Sequence, residues 1–314
     1  MKHPEYYRGK EVVVIGLARS GVAVARLFRE YGARVTVNDR KKREECQEVD
    51  GLEALGISVV CGGHPPELIH GGVSLVVKNP GIPYTAEPVV RALELGIEVV
   101  TEVEVAWHIC PAPIIGITGS NGKTTTTTWV GNMLEQGGLK PIVAGNIGIP
   151  LSDAARAAGK ENWLVAELSS FQLKGTVHFR PNIACLLNLY ETHLDYHGTM
   201  EDYAASKAKL FANQRPEDTA VLNWDDPFCR QLVPQLKARL FPFSMKEQLD
   251  VGVFLEWRDG RRWIVWRKPD GRTEALVPAD EVGIPGEFNI QNALAAAAAA
   301  QAAGVPAEKG AVAI

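Results

Sequence analysis

The chain has 314 residues, 46% of them hydrophobic and 22% charged, with a formal net charge of -4. That length favours two domains, and the composition excludes a disordered or fibrous chain. The slightly acidic balance provides no polycation field, so nucleic acid and anionic lipid are excluded as bulk partners and any phosphate must be bound locally.

Cys46, Cys61, Cys110, Cys185 and Cys229 form no CxxC pair and leave one over, which argues against a disulfide framework or a cysteine zinc site. The N-terminus has no secretory apolar stretch, and no run approaches the roughly 18 apolar residues of a membrane span. A cytoplasmic protein without membrane insertion is expected.

Residues 12–15 are a β-branched run entering Gly16, and residues 22–31 have helical spacing, so the chain opens as strand, tight turn and helix. Strand-like runs recur at 33–37, 57–61, 73–77 and 97–100, with helix-compatible segments between most of them. This alternation predicts a parallel sheet flanked by helices, ending at the proline-containing segment 111–113. The turn Gly16-Leu-Ala-Arg-Ser-Gly21 mimics a dinucleotide fingerprint, with Asp39 about twenty residues on at a strand end. Ala18 stands where the second glycine would be, which hinders approach of a pyrophosphate. An NAD-binding or nucleotide-sensing module is the alternative this turn suggests.

A second alternation begins with a predicted strand at 114–118, a glycine loop and a helix over 123–136. Strands follow at 141–143, 163–168, 183–188 and 220–223. The stretch 239–276 changes character: β-like runs at 253–257 and 263–266 are separated by Asp-Gly turns at Asp259-Gly260 and Asp270-Gly271, which predicts an antiparallel excursion. An alanine-rich helix over 289–303 closes the domain. The residues beyond it show neither turn chemistry nor a cap, so the chain reads as cut.

The strongest chemical signal is Gly116-Ile-Thr-Gly-Ser-Asn-Gly-Lys-Thr124. Strand, glycine loop, lysine, hydroxyl residue and helix arrive in the order a triphosphate site needs. Gly119 and Gly122 permit close approach, and the loop backbone through Ser120, Asn121 and Thr125 is expected to face the phosphates. Lys123 would neutralise β and γ oxygens, and Thr124 would ligate Mg²⁺. The strict GxxxxGK[ST] pattern is not met, because Ile117 stands five before Gly122; this is a shortened GxxGK[ST]. A glycine turn that only caps a helix is the plain alternative.

Together with Ala144-Gly-Asn-Ile-Gly148, Glu167-Leu-Ser-Ser-Phe-Gln-Leu173 and Glu191-Thr-His-Leu-Asp195, this loop resembles the Mur ligases of peptidoglycan synthesis. The ELSSFQL string is most similar to the branch that joins D-glutamate to UDP-N-acetylmuramoyl-L-alanine. The resemblance implies an ATP-dependent, amide-forming enzyme: ATP phosphorylates the muramoyl-alanine carboxylate, and the amine of D-glutamate displaces phosphate from the acyl phosphate. Cofactors implied are ATP and Mg²⁺ at two sites, in a monomer.

By the same resemblance Lys123, Glu167, His193 and Lys207 are the catalytic set. Thr124, Glu167, His193 and, if carbamoylated, Lys207 hold metal. Lys209 competes for the last role, but the offsets from Lys207 to Leu210 and Phe211 fit the family segment better. Asn289 and Asn292 would read adenine, with Phe288 where the family usually has His. Arg19, Ser20, Asn38, Asp39, Arg40 and Gly81 would contact the UDP group, and Asn146 the same substrate near the γ-phosphate. Other Mur ligases and folylpolyglutamate synthases share the short loop and are the nearest enzymatic alternatives.

The expected fold class is α/β. Residues 1–112 form a Rossmann-like UDP-substrate domain and residues 113–304 a P-loop ATP-binding ligase domain with a small antiparallel β excursion. Residues 305–314 begin a linker to an absent C-terminal domain, so the chain alone is expected to bind ligands without full activity.

Overall fold

The computed structural model describes residues 1–192 and 194–310. Two compact units emerge. The first comprises Met1–Cys110 with two later segments, Ile149–Ala157 and Phe171–Phe179. The second comprises Pro111–Gly148, Ala158–Ser170 and the chain from Arg180 onward.

In the first unit, β1 (Glu11–Ile15), β2 (Arg34–Asp39), β3 (Ser58–Cys61), β4 (Val73–Lys78) and β5 (Val99–Val100) form a sheet of order β3-β2-β1-β4-β5. Every pairing is parallel. Both faces are covered, which is why β1 reads as an unbroken apolar run rather than an alternating one. Val12 and Val14 pack with Val24, Leu27 and Phe28 of the helix Arg19–Glu30, while Val13 and Ile15 pack with Val89 and Ala92 on the other face. β5 is shorter than the apolar run at 97–100 suggests.

The later segments of this unit are tied down by buried polar groups. Glu102 accepts hydrogen bonds from the Ser152 N–H and hydroxyl at 2.9 and 2.7 Å, and the Thr101 hydroxyl donates to the Gln172 carbonyl at 2.6 Å. Burial pushes the Glu102 carboxyl pKa up, against the pull of the two Ser152 bonds. Because a buried polar group costs free energy unless it is paired, these contacts specify where the returning segments sit.

The second unit holds β6 (Ile114–Thr118), β7 (Lys140–Gly145), β8 (Asn162–Glu167), β9 (Ile183–Leu186), β10 (Thr219–Asn223), β11 (Arg239–Ser244), β12 (Gly252–Arg258), β13 (Arg261–Arg267) and β14 (Thr273–Pro278). Their order is β14-β13-β12-β11-β10-β9-β6-β8-β7. The antiparallel part is smaller than its sequence suggests. β11 pairs parallel with β10, β12 begins parallel to β11, and only β12-β13-β14 run antiparallel. Short apolar strands look alike in either sense, and only the connecting turn distinguishes them. Asp259 and Gly260 supply that distinction between β12 and β13, with φ of +50° and +80° as a tight hairpin turn requires.

The core of this unit lies between the sheet and two helices, Lys123–Gln136 and Glu287–Ala302. Ala293 and Ala295 through Ala300 are fully buried in the same cluster as Val130, Met133 and Leu134. Alanine suits this position because it favours the helix without losing side-chain entropy and lets neighbouring backbones approach. No helix among the described residues is long and apolar enough to cross a membrane.

Candidate functional site

The glycine loop leaves the C-terminal end of β6, which lies between β8 and β9, and its last residue, Gly122, caps the helix Lys123–Gln136. Gly122 has φ +84°, and a Cβ there would meet Asn292 Oδ1 at 2.1 Å; a Cβ at Gly119 would meet Leu187 Cβ at 2.9 Å. Both positions therefore exclude a side chain. Asn188 braces the loop: its Oδ1 accepts from the Asn121 N–H at 2.9 Å, its carbonyl accepts from the Ser120 N–H at 3.1 Å, and its amide donates to the Asn121 carbonyl at 3.1 Å. Two loop N–H groups expected to face phosphates are thus engaged internally. The first helical N–H groups, which have no intrahelical acceptor, remain the backbone donors of this end.

Two lysine amines converge on one carbonyl of this loop. Lys123 Nζ donates to the carbonyls of Gly119 and Ser120 at 2.9 and 3.0 Å. Lys207, on the helix Met200–Ala212, donates to the same Gly119 carbonyl at 2.9 Å and to the Thr118 hydroxyl at 3.2 Å. Lys207 is only 1% exposed, and burial, reinforced by the charge of Lys123, lowers its pKa to about 7. Burial also lowers the Lys123 pKa, while Glu167 pulls it back up. Lys209 is half-buried on the same helix.

Glu167 ends β8 and is buried beside the loop. Its Oε2 accepts from the Thr124 hydroxyl at 2.9 Å and its Oε1 from the Asn146 amide at 2.8 Å. Gly145, with φ +108°, makes this possible: a Cβ there would lie 2.4 Å from the Glu167 carbonyl oxygen. Thr125 follows in the first helical turn. Asn292 lies against Gly122 and donates to Asn289 Oδ1 at 3.3 Å, while Asn289 donates to the Pro285 carbonyl at 3.1 Å. Phe288 is 72% exposed. His193 lies outside the described residues. Asn146 therefore joins the phosphate-loop group, whereas the other residues assigned to UDP lie in the first unit.

There a cavity of about 640 Å³ is lined by Ala18, Asp39, Arg40, His64 and Gly81, among others. Asn38 also borders it but is fully buried, and its amide is spent internally. It donates to the carbonyls of Val60 and Gly63 at 2.9 and 2.8 Å, and its Oδ1 lies 2.6 Å from His64 Nδ1. Asp39 accepts from the N–H groups of Leu17 and Lys41 at 2.8 and 2.9 Å, which fixes the first turn. Ser20 donates to Asn79 Oδ1 at 2.9 Å, and Arg19 begins the helix after the turn.

Several residues here escaped the sequence reading. Lys78, 1% exposed, donates to the Ile82 carbonyl at 2.8 Å and reaches those of Pro80 and Asn79 at 3.3 and 3.4 Å, holding the loop that carries Gly81. Burial, then repulsion from Lys174, lowers its pKa to about 7. His64 had no flag beyond a Gly-Gly-His-Pro string. In the second unit, buried His197 lies 2.6 Å from Asp202 Oδ2 and 2.9 Å from the Ser170 hydroxyl. Its place in the string after His193 was the available signal.

Comparison with known proteins bears on this geometry. Residues 117–300 match the Mur ligase middle domain, and residues 10–101 match the Mur ligase MurD-like N-terminal domain. The chain is 50% identical over 305 residues to a UDP-N-acetylmuramoylalanine--D-glutamate ligase of Geobacillus sp. (strain WCH70), covering 97% of this chain and 66% of that protein. To the protein so named from Streptococcus mutans it is 47% identical, covering 97% and 65%. The chain thus spans about two thirds of the length of these relatives. Among solved structures, the UDP-N-acetylmuramate:L-alanyl-gamma-D-glutamyl-meso-diaminopimelate ligase of Neisseria meningitides superposes with a TM-score of 0.64 at 22% identity, covering 97% of each chain. A MurF ligase of Thermotoga maritima in complex with ADP gives 0.54 at 18% identity, covering all of this chain and 67% of the other. These two show a shared fold, and the domain matches carry the assignment: the chain belongs to the Mur ligase family.

Proposed function

We propose that this chain serves the ATP-dependent ligation of D-glutamate to UDP-N-acetylmuramoyl-L-alanine in peptidoglycan precursor synthesis, with residues 1–112 binding the UDP substrate and residues 113–304 binding ATP. The observation that carries the reading is the convergence of Lys123 and Lys207 on the Gly119 carbonyl, next to the Thr124–Glu167–Asn146 group. The partly desolvated Lys123 amine beside a helix N-terminus needs an anion, and a loop that excludes side chains at Gly119 and Gly122 leaves backbone for it to rest on. The close relatives named for this reaction select the substrates.

When bound, ATP with Mg²⁺ supplies the phosphoryl group that turns a poor electrophile, the muramoyl carboxylate, into an acyl phosphate. The chain's own groups do the rest. Lys123 screens the phosphate oxygens, so that carboxylate and phosphate can approach despite like charge. Thr124 and Glu167 offer the hard oxygen ligands that Mg²⁺ prefers. Asn146, oriented by Glu167, presents the rest of its amide to the substrate. Asn289 and Asn292 read the adenine, since an amide offers both donor and acceptor. Arg19, Ser20, Arg40 and Gly81 hold the UDP group, with Asn38 and Asp39 shaping the wall behind it.

A second Mg²⁺ site uses His193 and a carbamoylated Lys207. The depressed pKa suits that modification: the neutral amine attacks carbon dioxide, an N–C bond forms, one C–O π pair moves to oxygen, and the amine proton leaves to solvent. A repelling cation becomes an anionic oxygen ligand.

Thermal shift with UDP-N-acetylmuramoyl-L-alanine, ATP–Mg²⁺ and NAD tests the assignment, because a ligand selective for the folded state raises its apparent stability. The first two are expected to stabilise the chain. Lys123→Ala should abolish the ATP effect and spare the UDP ligand. Stabilisation by NAD alone, or equal loss of both responses in Lys123→Ala, would overturn the reading.

A further inference from the structure

The first unit contains a cluster of metal-ligand type that the ligation chemistry does not use. Glu104 lies on the helix Glu102–Ile109 and is fully buried. Its Oε2 accepts the backbone N–H groups of Val177, His178 and Phe179 at 2.9, 3.0 and 3.0 Å. Its Oε1 accepts the His178 N–H as well, at 2.9 Å, and faces two imidazoles: His178 Nδ1 at 3.0 Å and His108 Nε2 at 3.4 Å. His108 stands one helical turn after Glu104, so the two side chains share a face. The His108 and His178 rings meet edge to face, with centroids 5.9 Å apart.

The protein alone leaves this cluster imperfectly satisfied. His108 Nε2 is shut off from solvent and makes no hydrogen bond of acceptable geometry; its 3.4 Å approach to Glu104 is a charge contact only. An imidazole nitrogen buried without a partner is destabilising, and a ligand that satisfies it removes that cost. Three backbone N–H groups, those of Val177, His178 and Phe179, all donate to the Glu104 carboxyl, an arrangement that suits an ionised carboxylate. The carboxylate is thus an anion already in place. The Met1 amine approaches His178 Nδ1 at 3.5 Å, but its charge is taken up by an ion pair with Glu98.

We propose that Glu104, His108 and His178 bind a divalent transition-metal ion of the Zn²⁺ class, which fastens the helix Glu102–Ile109 to the returning segment Phe171–Phe179 of the same unit. Nitrogen, nitrogen and carboxylate oxygen suit zinc, nickel or cobalt and not magnesium. A tetrahedral zinc shell with ligand distances of about 2.0–2.1 Å has ligand-to-ligand edges of about 3.3 Å, and two edges here measure 3.0 and 3.4 Å. All three ligand atoms lie within 4.8 Å of one another. On binding, His178 changes tautomer: Nδ1 gives up its proton to solvent while Nε2 takes one from solvent, so the ring stays neutral and the Nδ1 lone pair, like that of His108 Nε2, turns to the ion. The His178 side chain is 52% exposed, which gives the ion a way in and leaves room for water as the fourth ligand.

The test is titration of the full chain with Zn²⁺ in excess Mg²⁺, read by calorimetry and thermal shift, and by the visible d–d bands of Co²⁺. One equivalent should bind with Kd on the order of micromolar and raise the melting temperature by about 5 °C at a hundredfold excess over Kd. His178→Ala removes an exposed ligand and leaves the backbone bonds to Glu104 intact; His108→Gln removes the half-buried one, whose Nε2 is shut off from solvent. Each should weaken binding at least tenfold and lose the Co²⁺ bands. Each chain's shift is measured against its own metal-free melting point, so a change in basal stability does not enter. A wild-type chain that binds no Zn²⁺, or variants that bind it as tightly as wild type, would overturn the proposal.

Discussion

Lys207 gives the most demanding test of the electrostatics around the phosphate loop. Its amine is held at a pKa of about 7, against 10.5 for an ordinary lysine, by burial and by the charge of Lys123. Between these values the unfolded chain binds a proton that the folded chain does not, so the stability of the fold rises with pH across the window from about 7 to 10.5. One such group changes stability by at most about 1.4 kcal/mol per pH unit. Its penalty is about 4 kcal/mol at pH 7 and about 2 kcal/mol at pH 9.

Replacing the amine in Lys207→Met removes that dependence, leaves the positive charge of Lys123 in place, and forfeits the bonds to Thr118 and Gly119 at every pH alike. Urea unfolding followed by tryptophan fluorescence reports mainly on the second unit, which holds every tryptophan except Trp107. Carbon dioxide is stripped from the buffers so that the amine stays unmodified. Between pH 7.5 and 9 the stability of wild type should climb more steeply than that of Lys207→Met by about 1 kcal/mol per pH unit. Parallel profiles would refute the reasoning, whatever the offset between them.

Two further outcomes follow from the same geometry. Gly122→Ala forces a side chain into a left-handed conformation and against Asn292, so it should cost about 1–3 kcal/mol by urea unfolding and weaken ATP–Mg²⁺ stabilisation; an unchanged ATP response would refute the role given to that glycine. Cys185 and Cys229 are fully buried and burial pushes both thiols up, so a chromogenic disulfide should label Cys61 and Cys110 in the native protein and reach these two only after unfolding.

The parts of the molecule legible in the sequence were those whose chemistry is local. The strand, glycine loop and helix at 114–136 can be read because backbone freedom, charge and apolar period all change within a few residues. Lys207 is separated from Lys209 by the same logic, since Leu210 and Phe211, three and four residues on, are buried and fix the inner face of that helix. What stayed hidden depends on partners far away in the chain. Asn188 clasps a loop 67 residues earlier, and nothing near it announces the role. Lys78 reads as the polar end of a strand, yet it is sealed in as the clamp of the next loop. Asn38 has the residue type of a ligand contact, but its amide is consumed by Val60, Gly63 and His64. The direction of β11 was hidden too, because pairing sense is a property of the connection and not of the strand.

The first unit is assembled from three stretches of chain, the last ending at Phe179. A ribosome emitting this polypeptide therefore exposes Glu102 and Glu104 well before Ser152 and the 177–179 amides arrive to neutralise them. Until then the nascent domain carries two acidic side chains whose intended shelter does not yet exist. Its final closure has to wait until residues 111–148 and 158–170 of the second unit have been synthesised, so this unit closes only after part of the next has been made. Cleaving the gene at residue 110 would leave that same unfinished intermediate as the end product.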